Sequence, residues 1–210
     1  MNNILAFGDS NTWGLIPGSH PLRRFDRENR WTGILEGKLS GTRIIEEGLC
    51  GRTTVFEDAL RPGRKGVDSL PFLLESQSPL DGLIMMLGTN DCKAVYKTSP
   101  YIIGKGLERC LDAAERVLPP EKILVVSPIL LGPDVFDPQK DPEFDKRSVE
   151  VAKGLKEVYG QIAERRGMPF LAASDHAKAD IRDDEHLNEE GHLALADAIL
   201  GKIRNVWSCS

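Results

Sequence analysis

Cysteine is scarce in this 210-residue chain: Cys50, Cys92, Cys110 and Cys209 are its four. They form no Cys-x-x-Cys pair and no cluster with the four histidines. Neither a disulfide framework nor a metal-ligand spacing is present, so the expectation is reduced thiols in a cytoplasmic protein without a metal. The chain opens with no basic stretch leading into a long apolar run, which argues against a signal peptide. No segment approaches the length of a membrane span, which argues against a membrane partner. Lys and Arg (27) are outnumbered by Asp and Glu (32) for a net charge of −5. The basic residues are scattered and not interleaved with aromatics, so nucleic acid is excluded as a partner. Repeats, low-complexity tracts and linkers are also missing, and 40% hydrophobic against 28% charged residues is an ordinary balance. Residues 1–210 read as one domain.

What the sequence does contain is alternation. Apolar runs at 3–7, 42–46, 82–87, 122–127 and 168–172 read as strands. Leu83-Ile84-Met85-Met86-Leu87 and Ile123-Leu124-Val125-Val126 are continuously apolar, as strands covered on both faces must be. Helical patterns lie between the strands. Two are short, at 31–39 and 69–76. A longer stripe (Ile103, Leu107, Cys110, Leu111, Ala114, Leu118) stops at Pro119-Pro120. Another, of Val151, Ala152, Leu155, Val158, Tyr159 and Ile162, ends near Gly167. The last, Leu195, Ala196, Ile199, Leu200 and Ile203, takes Asn188 as its N-cap and Glu189-Glu190 in its first turn. This order predicts a three-layer α/β/α fold around a flavodoxin-like, five-stranded parallel sheet of order 2-1-3-4-5. The long connections 14–30, 48–67 and 128–142 all follow strand C-termini, the edge at which open α/β sheets bind ligands.

Gly8-Asp9-Ser10-Asn11 follows the first strand at that edge. A serine hydroxyl needs a neighbouring base to become a nucleophile. Among the histidines, His20 lacks an acidic partner at useful spacing, His176 has only the adjacent Asp175, and His192 reads as a packing or surface residue of the last helix. His186 remains, with Asp183 three residues earlier and able to orient the imidazole from the same loop. Asp184, two residues from His186, is expected to point away. Taken alone, 182–186 could equally be a solvated charge cluster at a helix entrance. Asn90, in Gly88-Thr89-Asn90-Asp91 after the third strand, can direct an amide at an oxyanion; Gly51 and Ser10 can add backbone N–H donors. Each of these is a common turn residue on its own. Their joint placement after successive strands is what points to acyl-transfer chemistry. Cys50 and Cys92, beside these loops, read as small packing residues.

On these blocks the chain resembles the SGNH hydrolases of the GDSL esterase/lipase superfamily. Ser10, Gly51, Asn90 and the Asp183–His186 pair match its four blocks in order, with Asn11 where the superfamily name has leucine. Thr12-Trp13-Gly14, Arg30-Trp31-Thr32-Gly33, Glu46-Glu47-Gly48-Leu49 and Arg52-Thr53-Thr54 are similar to its arylesterase/acyltransferase branch, although Cys50 stands where that branch tends to have serine. The resemblance implies a serine esterase for short-chain and aryl esters. It implies Ser10, Asp183 and His186 as catalytic residues and Ser10, Gly51 and Asn90 as the oxyanion hole, with no cofactor. It further implies acyl transfer to alcohols and, as in that branch, homo-oligomers. Trp13 is expected either to wall the acyl pocket or to be a core residue. The same triad would also serve a carbohydrate deacetylase, lysophospholipase or thioesterase. A non-catalytic flavodoxin-like ligand-binding module is a rival reading, although the first loop lacks a Gly-rich phosphate cradle.

Overall fold

Five strands, β1 (Asn2–Gly8), β2 (Thr42–Gly48), β3 (Gly82–Met86), β4 (Ile123–Ser127) and β5 (Phe170–Ala172), pair in parallel in the order β2-β1-β3-β4-β5. They belong to a computed structural model that describes residues 2–207. The expected order is the observed one. Register places Gly8 opposite both Gly48 and Met86, so β1 and its two neighbours end level and their following loops leave from one edge.

Strand alternation sorts the core into two layers. On one face Leu5, Phe7, Leu83, Met85, Ile123 and Val125 meet the helices α3 (Gly66–Ser76), α4 (Pro100–Ala114), α5 (Lys146–Lys153) and α6 (Leu155–Arg166). On the other, Ile4, Ala6, Ile84, Met86, Leu124 and Val126 meet α2 (Trp31–Lys38) and α7 (Glu189–Val206). A one-turn helix, α1 (Ser10–Trp13), follows β1 directly. Among the described residues no helix is long and apolar enough to cross a membrane.

Two elements differ from their sequence pattern. The single stripe expected over 151–162 is two helices joined at Gly154. A Cβ there would come within 2.5 Å of Pro100 in the first turn of α4, so that approach requires glycine at the joint. The fifth strand is trimmed to three residues because Met168 N–H bonds back to Ala163 and Pro169 has no N–H to give. The predicted N-cap of α7 is observed, Asn188 Oδ1 accepting from Gly191 N–H at 2.8 Å.

Candidate active site

The nucleophile turn is built by local capping. Asp9 Oδ1 accepts the Asn11 N–H at 3.0 Å and nucleates α1, while Trp13 N–H bonds Asp9 O and Gly14 N–H bonds Ser10 O. Ser10 thus heads a helical turn at the end of β1, its side chain at the junction of β1 and β3. That junction is where the strand order reverses, the expected crevice of an open α/β sheet.

The late histidine reaches this point although β5 lies at the sheet edge. Helix α7 packs across the Ile4/Ile84 face against α2, which carries its N-terminal loop back over the end of β1. The two segments are then clasped. Asn11 Nδ2 donates to Glu185 O at 3.2 Å, and Asn11 Oδ1 accepts from Leu187 N–H at 2.9 Å, so one amide holds the backbone on both sides of His186. This role of Asn11 is invisible in the local sequence, because its partners lie 174 and 176 residues away.

Ser10 Oγ is 2.9 Å from His186 Nε2, and His186 Nδ1 is 2.9 Å from Asp183 Oδ2. With Nδ1 protonated and donating to Asp183, Nε2 is free to accept the serine proton, the tautomer a general base requires. All three side chains are buried. Asp183 is itself fixed: its Oδ1 accepts from Glu185 N–H at 3.0 Å and His186 N–H at 2.9 Å, and its Oδ2 from Gly18 N–H at 2.9 Å. Burial would raise its pKa, but the imidazole and these N–H donors outweigh burial and hold it down at about 2.

Asp184 points elsewhere, as its spacing suggests. Its backbone has φ 59, its carboxylate meets Lys140 Nζ at 2.6 Å and Asp134 N–H at 3.2 Å, and its carbonyl accepts Gly132 N–H at 2.7 Å. It braces the loop after β4 against the Asp183–His186 turn.

The donor loops after β2 and β3 are locked together. Asp91, fully buried, accepts from Thr54 N–H at 2.9 and 3.1 Å and from the Thr54 hydroxyl. Burial pushes its pKa up to about 7 against those bonds. Asn90 Nδ2 donates to Arg52 O at 3.1 Å, which engages one of its two amide hydrogens and leaves the other. Gly51 has φ 82, which is why glycine stands there; a Cβ would find only ordinary contacts near 3.6 Å. Among the described residues neither the Ser10 nor the Gly51 N–H meets an acceptor. Arg52, buried against the Phe7 ring, donates to Gly8 O at 2.8 Å and to Glu47 O, tying this loop to the end of β1.

Beside the imidazole opens a cavity of about 250 Å³, and the three long connections converge on it. Leu15, Gly18, His20 and Leu22 come from the first, Arg61 from the second, and Lys140 and Asp141 from the third. Arg61 bonds both Asp58 at 2.8 Å and Glu143 at 2.6 Å, and Lys93 also pairs with Glu143. The rim is therefore charged and internally paired. A larger cavity of about 540 Å³, between Arg24, Phe25, Arg182 and the start of α7, touches none of the triad, whereas Asp183 and His186, though not Ser10, line the smaller one.

Trp13 does not line the cavity beside the triad. It is half-buried at the end of α1 beneath the Arg24 guanidinium, 5.3 Å from its ring, so it buttresses the first loop and is no wall of this pocket. The branch-like blocks at 30–33 and 46–49 are also scaffold. Arg30 grips Glu46 through two bonds of 2.9 and 2.7 Å, and Thr32 joins the same carboxylate, pinning α2 to β2. His192 is fully buried, its Nδ1 accepting from Trp31 N–H at 3.3 Å; burial first, then Arg30 and His186, lower its pKa to about 3. It is a packing residue. Cys50 is half-buried, and burial, then the Asp9 and Glu185 charges, push its thiol up to about 11; Cys92 is buried with Sγ 3.4 Å from Gly88 O. Neither is an activated thiolate. Cys209 lies outside the described residues. Among the described residues no group of three or more His, Cys, Asp and Glu is arranged to hold a metal ion.

The profile of the GDSL-like lipase/acylhydrolase family matches residues 6–194. Among solved structures, Est24, a carbohydrate acetylesterase from Sinorhizobium meliloti, is 35% identical with a TM-score of 0.88, covering 98% of this chain and 99% of its own. The inhibitor-bound aryl esterase of M. smegmatis is 32% identical with a TM-score of 0.91, covering 98% of this chain and 100% of its own. A second carbohydrate acetylesterase family member from Sinorhizobium meliloti is 30% identical with a TM-score of 0.87, covering 99% and 100%. No curated protein sequence matches the chain.

Proposed function

Because the chain belongs to the GDSL-like lipase/acylhydrolase family and is a carboxylic ester hydrolase, we propose that Ser10 is its nucleophile, His186 its general base and Asp183 the acid that orients His186. The observation that carries this reading is the unbroken chain Ser10 Oγ–His186 Nε2 and His186 Nδ1–Asp183 Oδ2, both links 2.9 Å. His186 takes the proton of Ser10 as Oγ attacks the ester carbonyl. The N–H groups of Ser10 and Gly51 and the free amide hydrogen of Asn90 hold the oxyanion. His186 then returns the proton to the departing alcohol, leaving Ser10 acylated. Water, activated by the same imidazole, releases the acid; an alcohol in its place yields a new ester, which is the transfer reaction.

The proposed substrates are short-chain esters, aryl esters included, since a cavity of about 250 Å³ with Leu15 and Leu22 as its apolar members suits a small acyl group. The charged rim of Arg61, Lys140, Asp141 and Glu143 favours a second reading for the alcohol side, an acylated carbohydrate, whose hydroxyls can bond such groups. Turnover of p-nitrophenyl acetate, butyrate and octanoate, with a peracetylated sugar assayed in parallel, tests both. The acetate is expected to exceed the octanoate at least about tenfold in kcat/KM. Octanoate preference would contradict the short-chain assignment, and an inert sugar acetate would remove the carbohydrate reading.

A further inference from the structure

The imidazole of His186 has a carboxylate at each nitrogen. Asp183 holds the Nδ1 edge; at the other, Glu185 Oε1 lies 3.7 Å from Nε2, beside the Ser10 hydroxyl. The two acids are built differently. Asp183 accepts three backbone N–H bonds in addition to the imidazole. Glu185 is 5% exposed, and among the described residues no donor bonds its side-chain oxygens. Its oxygens reach solvent only through the cavity it lines, so as an anion it depends strongly on any cation that stands next to it. The cations across the cavity are engaged elsewhere, Arg61 and Lys93 with Glu143 and Lys140 with Asp184. The group left to face Glu185 at close range is the imidazole.

We propose that Glu185 is a positioning residue that holds a proton on His186 Nε2 and thereby sets the pH at which the imidazole becomes free to act as a base. This rests on the reading of His186 as the general base of Ser10. Other charges face the pair from each packed element. Asp9 approaches the imidazole from the turn after β1 and His192 from α7; Lys93 and Asp141 face Glu185 from the loops after β3 and β4. His20 stands across the cavity on the first long connection. Burial works against a charged imidazole, but the Glu185 charge, then the Asp183 bond and charge, outweigh it and push His186 up to about 9. Burial pushes Glu185 up to about 7, against the pull of His186. An imidazole protonated at Nε2 cannot accept the serine proton, so kcat/KM falls as pH drops through the acid limb, which belongs to the coupled pair. Removing the Glu185 charge lowers the imidazole pKa, and the limb moves to lower pH.

The test is the pH profile of kcat/KM for p-nitrophenyl acetate. Glu185→Gln is expected to move the acid limb down by about one pH unit or more, the least that a unit charge under 4 Å away implies. Glu185→Asp, which keeps the charge but withdraws it, is expected to fall in between. A limb that stays in place, or moves up, in folded Glu185→Gln overturns the proposal. If that variant does not fold, a 15N NMR titration of the His186 imidazole in Ser10→Ala protein decides: two coupled steps are expected, and a single step near the ordinary value of about 6.5 overturns it. Fluorophosphonate labelling separates the two levels. Label on Ser10 with an unmoved limb removes only the role of Glu185, whereas full activity in Ser10→Ala removes the serine reading beneath it.

Discussion

Asp183→Asn is expected to lower kcat for p-nitrophenyl acetate by about 10⁴, the scale seen when a triad acid becomes an amide, while Asp184→Asn stays within about tenfold of the parent. The difference follows from what each carboxylate touches. Asp183 Oδ2 receives two donors, His186 Nδ1–H and Gly18 N–H. Its Oδ1 receives two more, from the backbone of Glu185 and His186. An asparagine satisfies only one of those pairs with its oxygen and turns an NH₂ toward the other. Set against Nδ1, that NH₂ selects the opposite tautomer, with Nδ1 as acceptor and the proton on Nε2, where it blocks deprotonation of Ser10. Asp184 keeps its backbone bond to Gly132 whatever its side chain, and an asparagine there still offers an oxygen to Lys140 Nζ or Asp134 N–H, with no contact to the imidazole at stake. The measurement is kcat for both variants, with thermal melts to show that each is folded. A dead Asp184→Asn beside a fully active Asp183→Asn would reassign the acid.

The second large effect is at Asn90. Asn90→Ala is expected to lower kcat by about 10²–10³ with KM changed by no more than a few-fold, because the amide donor matters where charge develops on the carbonyl oxygen and little in the bound ester. Some stability is lost as well. The Asn90 Nδ2–Arg52 O bond disappears and leaves a buried carbonyl without that donor, costing about 1–3 kcal/mol. Steady-state kinetics and a denaturant melt separate the two. A rise in KM alone would make Asn90 a substrate-binding or loop-holding residue, and unchanged kinetics would remove it from the mechanism.

Local pattern carried the scaffold far, for physical reasons visible in particular residues. The apolar run 83–87 and the run 123–126 are continuous because both faces of a parallel sheet are covered, and their alternation with helical stripes leaves few topologies. Asp183 could be preferred to Asp184 because a carboxylate three residues before an imidazole can share one turn with it. What local pattern could not carry is set by distant partners. The need for glycine where α5 meets α6 is set by Pro100, more than fifty residues away. The clasp of Asn11 on the backbone of 185 and 187 exists only once α7 has crossed the sheet face. Glu185 reads as one more charge in the run 182–185, and its burial against the imidazole comes from loops closing over it. Of the blocks most similar to the arylesterase branch, those with Arg30, Thr32 and Glu46 brace α2 and β2 away from the cavity, while Arg52-Thr53-Thr54 ties the donor loops together. Their similarity therefore speaks to the scaffold, and the cavity beside the imidazole is lined by other residues, Arg61, Lys140, Asp141 and Glu143 among them.

The most direct measurement is intact-mass and peptide-level mass spectrometry after a fluorophosphonate probe. A single adduct on Ser10, absent from Ser10→Ala and slowed in His186→Ala, is the predicted result. An adduct on another residue, or undiminished labelling and ester turnover in Ser10→Ala, would contradict the account at its centre.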